Sequence, residues 1–322
     1  MTTMRAMVIA ATGAPGVFTP ADLPMPMKMN AEVVVKIIAA GVNPIDAKTR
    51  AGQGASAFIA NFPVVLGADF SGIVVESPYE YCPFKPGDEV FGMVASPRMA
   101  GTYAEYASVP TMSIARKPAR LTHVEAAGVP LAALTAWGMV VDVAKAHDSQ
   151  RILIHAASGG VGHFAVQLAA YFGAHVIATG SAHNESWLRE LGAAEVVDHN
   201  TTRFEDVVSG VDVVIDLIGN VHDDTGTRSL AVLRPGGLLV NAPSGSWPTL
   251  MEDAAAAGIR ATTYKTSPDG STLAIIGRLL DSGDVHVTLD HVFALEHVAE
   301  AHMAIETGHT RGKIILSVSE LG

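Results

Sequence analysis

The chain has 322 residues, 16% of them charged, a formal net charge of −11 and a single cysteine. That length suits about two domains, and one cysteine excludes intramolecular disulfides and cysteine-rich zinc modules. The acidic balance, without a Lys or Arg cluster, argues against nucleic acid and anionic membranes as partners. We expect a soluble cytoplasmic protein, because no apolar stretch reaches the roughly 18 residues of a spanning helix and the first residues lack the features of a signal peptide.

The first 120 residues predict an antiparallel β domain. Short strand patterns at residues 6–10 and 33–40 are separated by turn-forming clusters rich in Pro and Gly. Little of this stretch has helical periodicity.

From residue 151 the pattern changes to short β-branched runs that alternate with longer helical segments. Strands are predicted at 151–155, 175–180, 195–198, 211–219 and, after a Pro-Gly-Gly turn, at 238–242, with helices at 162–172 and 184–191. Five such strands, separated by helices, indicate an α/β fold with a doubly wound parallel sheet of the Rossmann type.

The remaining residues predict helices at 271–281 and 297–307, an apolar run at 285–289 and a closing strand at 313–318. A strand that follows the parallel sheet is expected to return to the first domain. We therefore assign residues 1–123 and 265–322 to the β-rich domain and residues 124–264 to the Rossmann domain.

A glycine cluster follows the first strand of the predicted parallel sheet and reads Ala157-Ser158-Gly159-Gly160-Val161-Gly162. It has the spacing of a dinucleotide-binding fingerprint, with Ala in place of the first Gly. Gly159 would let the backbone approach a pyrophosphate, Gly162 would allow close packing of helix on strand, and the helix N-terminus would supply N–H donors. The alternative is an ordinary turn, which the flanking strand and helix disfavour.

The end of the second strand favours NADPH over NADH. An NAD site expects an acidic residue about 20 positions after the glycine loop, but Ser181 stands there and no carboxylate occurs between residues 173 and 184. Side chains that could donate hydrogen bonds to a 2′-phosphate are Ser181, His183, Asn184 and His199, with Arg203 nearby in sequence. The alternative is that these are polar surface residues that bind no ligand.

Seven motifs occur in the order of one protein family: PVVLGADFSGIV, FKPGDEVFG, GTYAEYA, VPLAALTAW, HAASGGVG, LRPGGLLV and GHTRGKIIL. On these motifs the chain resembles the zinc-free quinone oxidoreductase branch of the medium-chain dehydrogenase/reductase superfamily and is similar to zeta-crystallin. The resemblance implies a GroES-like catalytic domain, a Rossmann domain, an active-site cleft between them, and a homodimer or homotetramer.

The resemblance also implies that no catalytic metal is bound. Alcohol dehydrogenases of the superfamily bind zinc through a Cys, a His and a second Cys, and the aligned positions here are Asn43, Ala68 and Leu131. Zinc requires nitrogen or sulfur ligands, which Ala and Leu lack. Asp69, next to the missing His, is expected to be a buried carboxylate that fixes its loop by hydrogen bonds rather than one that transfers protons.

From the resemblance, Asn43 and Thr135 are the candidate catalytic residues, as positioning groups near the nicotinamide with no acid or base assigned. The carboxyl ends of the fourth and fifth strands are expected to line the nucleotide groove. They carry Ile218 and the turn of Asn241, Ala242, Pro243 and Ser244. Lys313, or Arg311 beside it, is a candidate for binding a cofactor phosphate, with a solvated basic pair as the alternative.

These features predict an NADPH-dependent oxidoreductase that needs no zinc. Quinones and activated C=C bonds, as in enones and enals, accept hydride without a Lewis acid because the resulting anion is delocalised. Several quinone and enoyl reductases of the branch carry a Tyr just after the R-x-G turn, whereas the first Tyr after residues 50–52 here is Tyr79. An enoyl-thioester reductase is therefore disfavoured. The alternative function is non-catalytic, as an NADPH-binding structural or nucleic-acid-binding protein.

Overall fold

The computed structural model describes residues 3–27, 29–97 and 101–320. In chain order the strands are β1 Thr3–Ile9, β2 Phe18–Pro24, β3 Glu32–Val42, β4 Val64–Val65, β5 Asp69–Glu76, β6 Glu89–Met93, β7 Tyr106–Pro110, β8 Ile114–Arg116, β9 Arg151–Ile154, β10 His175–Gly180, β11 Glu195–Asp198, β12 Val211–Asp216, β13 Leu233–Asn241, β14 Arg260–Thr263, β15 Leu289–Ala294 and β16 Lys313–Ser317. The α-helices are α1 Pro44–Arg50, α2 His123–Ala127, α3 Pro130–Trp137, α4 Gly162–Tyr171, α5 Glu185–Glu190, α6 Phe204–Val207, α7 Thr225–Leu230, α8 Leu250–Ala256, α9 Gly270–Ser282 and α10 Val298–Glu306.

The chain divides into two compact units, unit 1 (Met1–Leu134 with Ser267–Gly322) and unit 2 (Thr135–Thr266). The sequence placed the boundaries after residues 123 and 264. In the structure the first boundary lies later in the chain, after Leu134. The reason is that α2 packs on β3 and β5 and so belongs to unit 1. His123 Nδ1 on α2 also lies 2.8 Å from Ser71 Oγ on β5.

Unit 2 is built on a six-stranded parallel sheet with the order β11-β10-β9-β12-β13-β14. This order confirms the predicted doubly wound sheet. The central strand β9 carries Ile152, Leu153 and Ile154, which are fully buried because parallel sheets are covered on both faces. The sixth strand, β14, was not predicted, since this partly exposed edge strand has no apolar run.

The strand β13 begins at Leu233, before the Pro-Gly-Gly turn that the sequence placed ahead of it. Residue 211 pairs with 233 and residue 213 with 238, so residues 234–237 bulge out opposite Asp212. Pro235 is tolerated there because a bulge relieves it of a ladder hydrogen bond.

Unit 1 contains two mainly antiparallel sheets, as predicted for the first part of the chain. One has the order β2-β1-β4, and the other has the order β15-β16-β3-β5-β6-β8 with β7 also paired to β3. Residues Val42 and Gly41 of β3 pair with Ile314 and Ile315 of β16, so the closing strand returns to this unit as predicted. The sequence missed β15, a largely exposed strand parallel to β16. In the described part of the chain, no helix is both long and apolar enough to cross a bilayer.

Candidate functional site

The glycine loop lies at the carboxyl end of β9 in unit 2, and α4 begins directly after it at Gly162. A Cβ atom at Gly162 would lie 2.2 Å from Ala156 O and 2.7 Å from Ala157 Cα, so only glycine lets α4 pack this closely on the loop. A Cβ atom at Gly159 would meet, among the described residues, one neighbour, Ala156 O at 3.3 Å. The surroundings of Gly159 are therefore less crowded than those of Gly162, which fits a backbone that a bound group can approach.

The backbone of the loop fixes its shape. Ala156 adopts a left-handed conformation with φ of 46°, and its carbonyl accepts a hydrogen bond from the Gly159 N–H at 3.0 Å. The Ala157 N–H donates to Thr179 O on β10 at 3.1 Å. The first N–H groups of a helix such as α4 lack partners within the helix and carry its positive dipole end. The half-buried loop of Ser158, Gly159, Gly160 and Val161, followed by this helix start, fits the pyrophosphate of a dinucleotide.

A buried carboxylate joins the ends of β12 and β13. Asp216 accepts hydrogen bonds through Oδ1 from the N–H groups of Ile218 (2.9 Å) and Gly219 (2.8 Å), and through Oδ2 from Asn241 Nδ2 (2.8 Å). Its carbonyl accepts from the Ala242 N–H at 3.1 Å. The structure thus brings together Ile218 and the start of the turn that the sequence assigned to the nucleotide groove, a turn that continues through the half-buried Pro243 and the exposed Ser244. Sequence reasoning missed Asp216 because the predicted strand ran on to residue 219, whereas β12 ends at Asp216.

The ends of β10 and β11 bring together the four nearer residues predicted to bind a 2′-phosphate, and His183 Nε2 lies 3.4 Å from Ser181 Oγ. Asn184 Nδ2 donates to Ser181 Oγ at 3.3 Å, and the His199 N–H donates to Gly180 O at 3.2 Å. Ser181 is half-buried, His199 is exposed and Asn184 is buried. Arg203, the more distant candidate, forms an ion pair with Glu205 at 2.8 Å.

An acidic residue, Asp198, also lies at this edge of the sheet, in register with Gly180. It lies beyond the position about 20 residues after the glycine loop where an acidic residue is expected, and so was not predicted. The Asp198 carboxylate accepts hydrogen bonds from the Asn200 N–H and the Thr201 hydroxyl, each at 3.1 Å. The bond from the Asn200 N–H is the main cause that lowers the pKa of Asp198, and both bonds turn the carboxylate toward its own loop.

The first residue after β9, His155, is buried, and burial lowers its pKa to about 4. The Ser229 hydroxyl donates to Thr225 O at 2.7 Å, so it accepts from His155 Nε2 at 2.8 Å. His155 Nδ1 in turn lies 3.2 Å from Thr179 Oγ1. The neutral ring therefore links the end of β9 to β10 and α7 through hydrogen bonds and has a structural role.

In unit 1, Asn43 directly precedes α1 and is buried. Its Nδ2 donates to Asp69 Oδ2 at 3.0 Å, and its Oδ1 accepts a hydrogen bond from Lys313 Nζ. The Asp69 carboxylate is fully buried and also accepts from the Leu131 N–H at 2.8 Å. Two of the three positions aligned with zinc ligands, Asn43 and Leu131, therefore bind the same carboxylate, and Asp69 has the surroundings that the sequence predicted.

The structure reassigns Lys313, which the sequence placed at a cofactor phosphate or, alternatively, in solvent. Its side chain is 3% exposed. The ammonium group donates to Val42 O at 3.2 Å and to Asn43 Oδ1, and it lies 3.6 Å from Asp69 Oδ2. These contacts direct the ammonium into the interior of unit 1. Burial lowers the pKa of Lys313 and raises the pKa of Asp69, and their mutual attraction opposes both shifts.

A second buried carboxylate, Asp46, lies on α1 beside this cluster. Its Oδ2 accepts hydrogen bonds from the Asn43 N–H at 2.9 Å and from the Tyr103 hydroxyl at 3.2 Å. Burial raises the pKa of Asp46 to about 7. The Tyr103 hydroxyl also lies 3.3 Å from Nε2 of His302 on α10, and burial lowers the pKa of that histidine to about 3. Sequence reasoning missed this chain of groups, because nothing local connects residues 46, 103 and 302.

Thr135 is the first residue of unit 2 and is buried on α3. Gly138 follows on the same face, one turn along, and a Cβ atom there would lie 1.8 Å from the Tyr264 hydroxyl. Tyr264 therefore packs directly on this segment, and its N–H donates to Asn241 O at 2.8 Å. Sequence reasoning did not identify Tyr264, which follows the unpredicted strand β14.

No three His, Cys, Asp or Glu side chains among residues 3–27, 29–97 and 101–320 come together in a way that could hold a metal ion. At the positions aligned with zinc ligands, Ala68 and Leu131 offer no ligand atom. The third, Asn43, has its amide bonded to Asp69 and Lys313.

Two family models match the chain. The alcohol dehydrogenase GroES-like domain matches residues 29–119, and the zinc-binding dehydrogenase model matches residues 191–316. The first match confirms the predicted GroES-like domain.

The chain is similar to curated proteins over most of its length. It is 34% identical to NAD(P)H oxidoreductase RTN4IP1, mitochondrial, of Danio rerio, over 90% of this chain and 84% of the relative. It is 32% identical to the NADPH-dependent alkenal/one oxidoreductase, chloroplastic, of Arabidopsis thaliana, over 88% of this chain and 72% of the relative.

Solved structures resemble the whole chain. The quinone oxidoreductase of Coxiella burnetii superposes with a TM-score of 0.93 at 33% identity, covering 99% of this chain and 100% of that one. A mycobacterial protein complexed with NADPH superposes with a TM-score of 0.86 at 28% identity, covering 98% and 99% of the two chains.

Proposed function

The chain belongs to the zinc-free quinone oxidoreductase branch of the medium-chain dehydrogenase/reductase superfamily, and from that membership we propose that it transfers hydride from NADPH to a quinone or to an activated C=C bond. The observation that carries the proposal is the glycine loop, where Gly159 is less crowded than Gly162 and Gly162 lets α4 begin against the loop. The similarity to a quinone oxidoreductase and to an alkenal/one oxidoreductase supports these two classes of acceptor.

NADPH is proposed rather than NADH because of the residues at the ends of β10 and β11. Ser181, Asn184 and His199 offer hydrogen-bond donors there. Asp198, the carboxylate that ends β11, bonds to its own loop, which lessens its repulsion of a 2′-phosphate. The similarity to a mycobacterial protein complexed with NADPH supports the same cofactor.

The proposed reaction requires no zinc. Bound NADPH supplies a hydride, and a quinone or enone delocalises the negative charge that it gains. The protein has to position the acceptor and exclude water. Asn43 suits this role, because its Nδ2 carries two hydrogens and Asp69 takes one of them, which leaves the second to donate to a carbonyl oxygen of the acceptor. Thr135 is the second proposed positioning residue.

The test is NADPH oxidation by the purified protein at about pH 7, with 1,4-benzoquinone, a naphthoquinone and an alkyl enone as acceptors. We expect turnover with at least one acceptor class and a kcat/KM with NADPH at least about tenfold above that with NADH. Absence of NADPH oxidation with all three acceptors would contradict the proposed function. An equal kcat/KM with both cofactors would contradict only the preference for NADPH.

No observation favours the non-catalytic alternative. The homodimer or homotetramer and the cytoplasmic location stay predictions, and the relative from Danio rerio is named as mitochondrial. Light scattering during gel filtration tests the first prediction, and imaging of a tagged chain tests the second.

A further inference from the structure

We propose that Lys313 and Asp69 are positioning residues that hold the side-chain amide of Asn43 in one orientation for the hydride acceptor. The proposal rests on the proposed function, which assigns Asn43 to the acceptor. Neither Lys313 nor Asp69 needs to contact the acceptor itself. Their effect on the reaction passes through Asn43.

The first argument is the chemistry of the two partners of the Asn43 amide. An ammonium group can only donate hydrogen bonds, and an ionised carboxylate can only accept them. Lys313 Nζ binds Oδ1 of Asn43, and Asp69 Oδ2 binds Nδ2 at 3.0 Å. Turning the amide by half a turn would set donor against donor and acceptor against acceptor. The pair therefore distinguishes two orientations that neutral partners such as hydroxyl groups would leave nearly equivalent.

The second argument is that each member of the pair is fixed on its far side. The Asp69 carboxylate accepts from the Leu131 N–H at 2.8 Å, and Lys313 Nζ donates to Val42 O at 3.2 Å. Gly41 leaves room for the carboxylate, because a Cβ atom at Gly41 would lie 3.1 Å from Asp69 Oδ2. Neither charged group can turn away without losing a buried hydrogen bond. The backbone groups of Leu131 and Val42 thus fix the two charged groups, and these in turn fix the orientation of the Asn43 amide.

The third argument concerns stability. The side chains of Lys313 and Asp69 are 3% and 0% exposed, and removing two charges from water is unfavourable enough that apolar residues often replace such a pair without loss of stability. Stability alone is therefore a weak reason for an ion pair at this position. An ion pair that orients a neighbouring amide has a use that apolar residues cannot supply.

The experiment is a double-mutant cycle that combines Lys313→Met with Asn43→Ala, with kcat and KM measured for each variant. We expect Lys313→Met to lower kcat by about tenfold to a hundredfold, with the KM for NADPH changed less than about threefold. In the Asn43→Ala background, Lys313→Met should have no further effect on kcat, because the residue through which it acts is gone. A purely structural role would instead lower kcat by the same factor in both backgrounds.

The matched control is Arg50→Met. Arg50 is another described cation of unit 1 whose side chain is nearly inaccessible, at 1% exposed, and its guanidinium binds Gly13 O and Glu306. Its loss should lower thermal stability while leaving kcat within about twofold of wild type. If Lys313→Met does not fold, Asp69→Asn replaces it in the same cycle, because it removes the partner that can only accept.

A readout without cofactor is the crystal structure of the Lys313→Met variant. We expect the Asn43 amide to turn or to leave Asp69. An unchanged Asn43 that still donates to Asp69 would overturn the proposal, as would equal effects of Lys313→Met in both backgrounds. If Asn43→Ala has wild-type kcat, the orienting role is overturned while NADPH oxidation by the wild type still stands. If the wild type shows no oxidation at all, the proposed function fails, and the crystal structure alone decides whether the pair orients Asn43.

Discussion

Asp46→Asn should make the stability of unit 1 depend less on pH. Burial raises the pKa of the Asp46 carboxyl from its ordinary value of 3.8 to about 7. Between these values the folded chain holds a proton that the unfolded chain has released, so the free energy of unfolding falls as the pH rises. The fall is about 1.4 kcal/mol per pH unit, or about 4 kcal/mol from about pH 4 to about pH 7. The Asn variant has no such ionisation. Its free energy of unfolding, relative to that of wild type, should therefore rise by this amount from about pH 4 to about pH 7 and stay level at higher pH.

The assay has to report on unit 1. The three tryptophans, at positions 137, 187 and 247, all lie in unit 2, so their fluorescence does not follow the relevant unit. Hydrogen exchange of the β3 amides, corrected for the intrinsic effect of pH, measures the opening of unit 1 directly.

Asp88→Asn is the matched control, because its carboxyl also lies in unit 1 and a hydrogen bond from Arg116 lowers its pKa. The difference in free energy of unfolding between Asp88→Asn and wild type should stay constant above about pH 5, where this carboxyl is ionised in both the folded and the unfolded state. If the difference in free energy of unfolding between Asp46→Asn and wild type stays constant within about 1 kcal/mol from about pH 4 to about pH 7, the raised pKa of Asp46 is refuted.

Three further substitutions test unit 2, and tryptophan fluorescence during urea unfolding suits all of them. Gly162→Ala should lower the free energy of unfolding by about 3 kcal/mol, because its Cβ would collide with Ala156 O; a loss below about 1 kcal/mol would speak against the close packing of α4. Gly159→Ala should stay within about 1 kcal/mol of wild type yet weaken NADPH binding at least about tenfold by calorimetry, and unchanged binding would remove this loop from the cofactor site. Asp216→Ala should lower the free energy of unfolding by about 3 kcal/mol, because the N–H groups of Ile218 and Gly219 lose their carboxylate acceptor and the amide of Asn241 loses one of its two acceptors. A free energy of unfolding equal to that of wild type would show that water replaces the carboxylate with little loss of stability.

The parallel sheet of unit 2 could be predicted because its signals are local. Each inner strand is a largely apolar run that ends at a glycine or a polar residue or, in β9, directly before one. The strand β9, the glycine loop and α4 are also consecutive in sequence. The edge strand β14 lacks such a run, because its partly exposed face need not be apolar. Asn241 could be placed near a strand end, whereas Asp216 fell inside the predicted strand 211–219 and ends β12 in the structure. Their hydrogen bond requires that β12 and β13 be neighbours, which the local sequence does not reveal.

The site in unit 1 was harder to predict, because its residues come from distant parts of the chain. Asn43 and Asp69 could be identified by their positions in family motifs. The role of Lys313 depends on the pairing of β16 with β3, which directs its side chain toward Asn43 instead of a phosphate. Asp46 looks like an ordinary first-turn acid of a helix, and only its burial beside Tyr103 reveals a raised pKa.

The return of the chain to unit 1 sets an order of assembly. Unit 2 is one continuous stretch, whereas unit 1 is made of two segments that unit 2 separates. The hydrogen bond from Lys313 Nζ to Val42 O joins positions 271 residues apart, and contacts of such separation are slow to form. During synthesis unit 2 can complete its sheet while β3 still has an open edge and Asp69 still lacks its counter-ion. Docking of β16 then closes the edge and neutralises the carboxylate in one event, so a nascent chain that stalls before this strand exposes both an adhesive strand edge and an uncompensated charge.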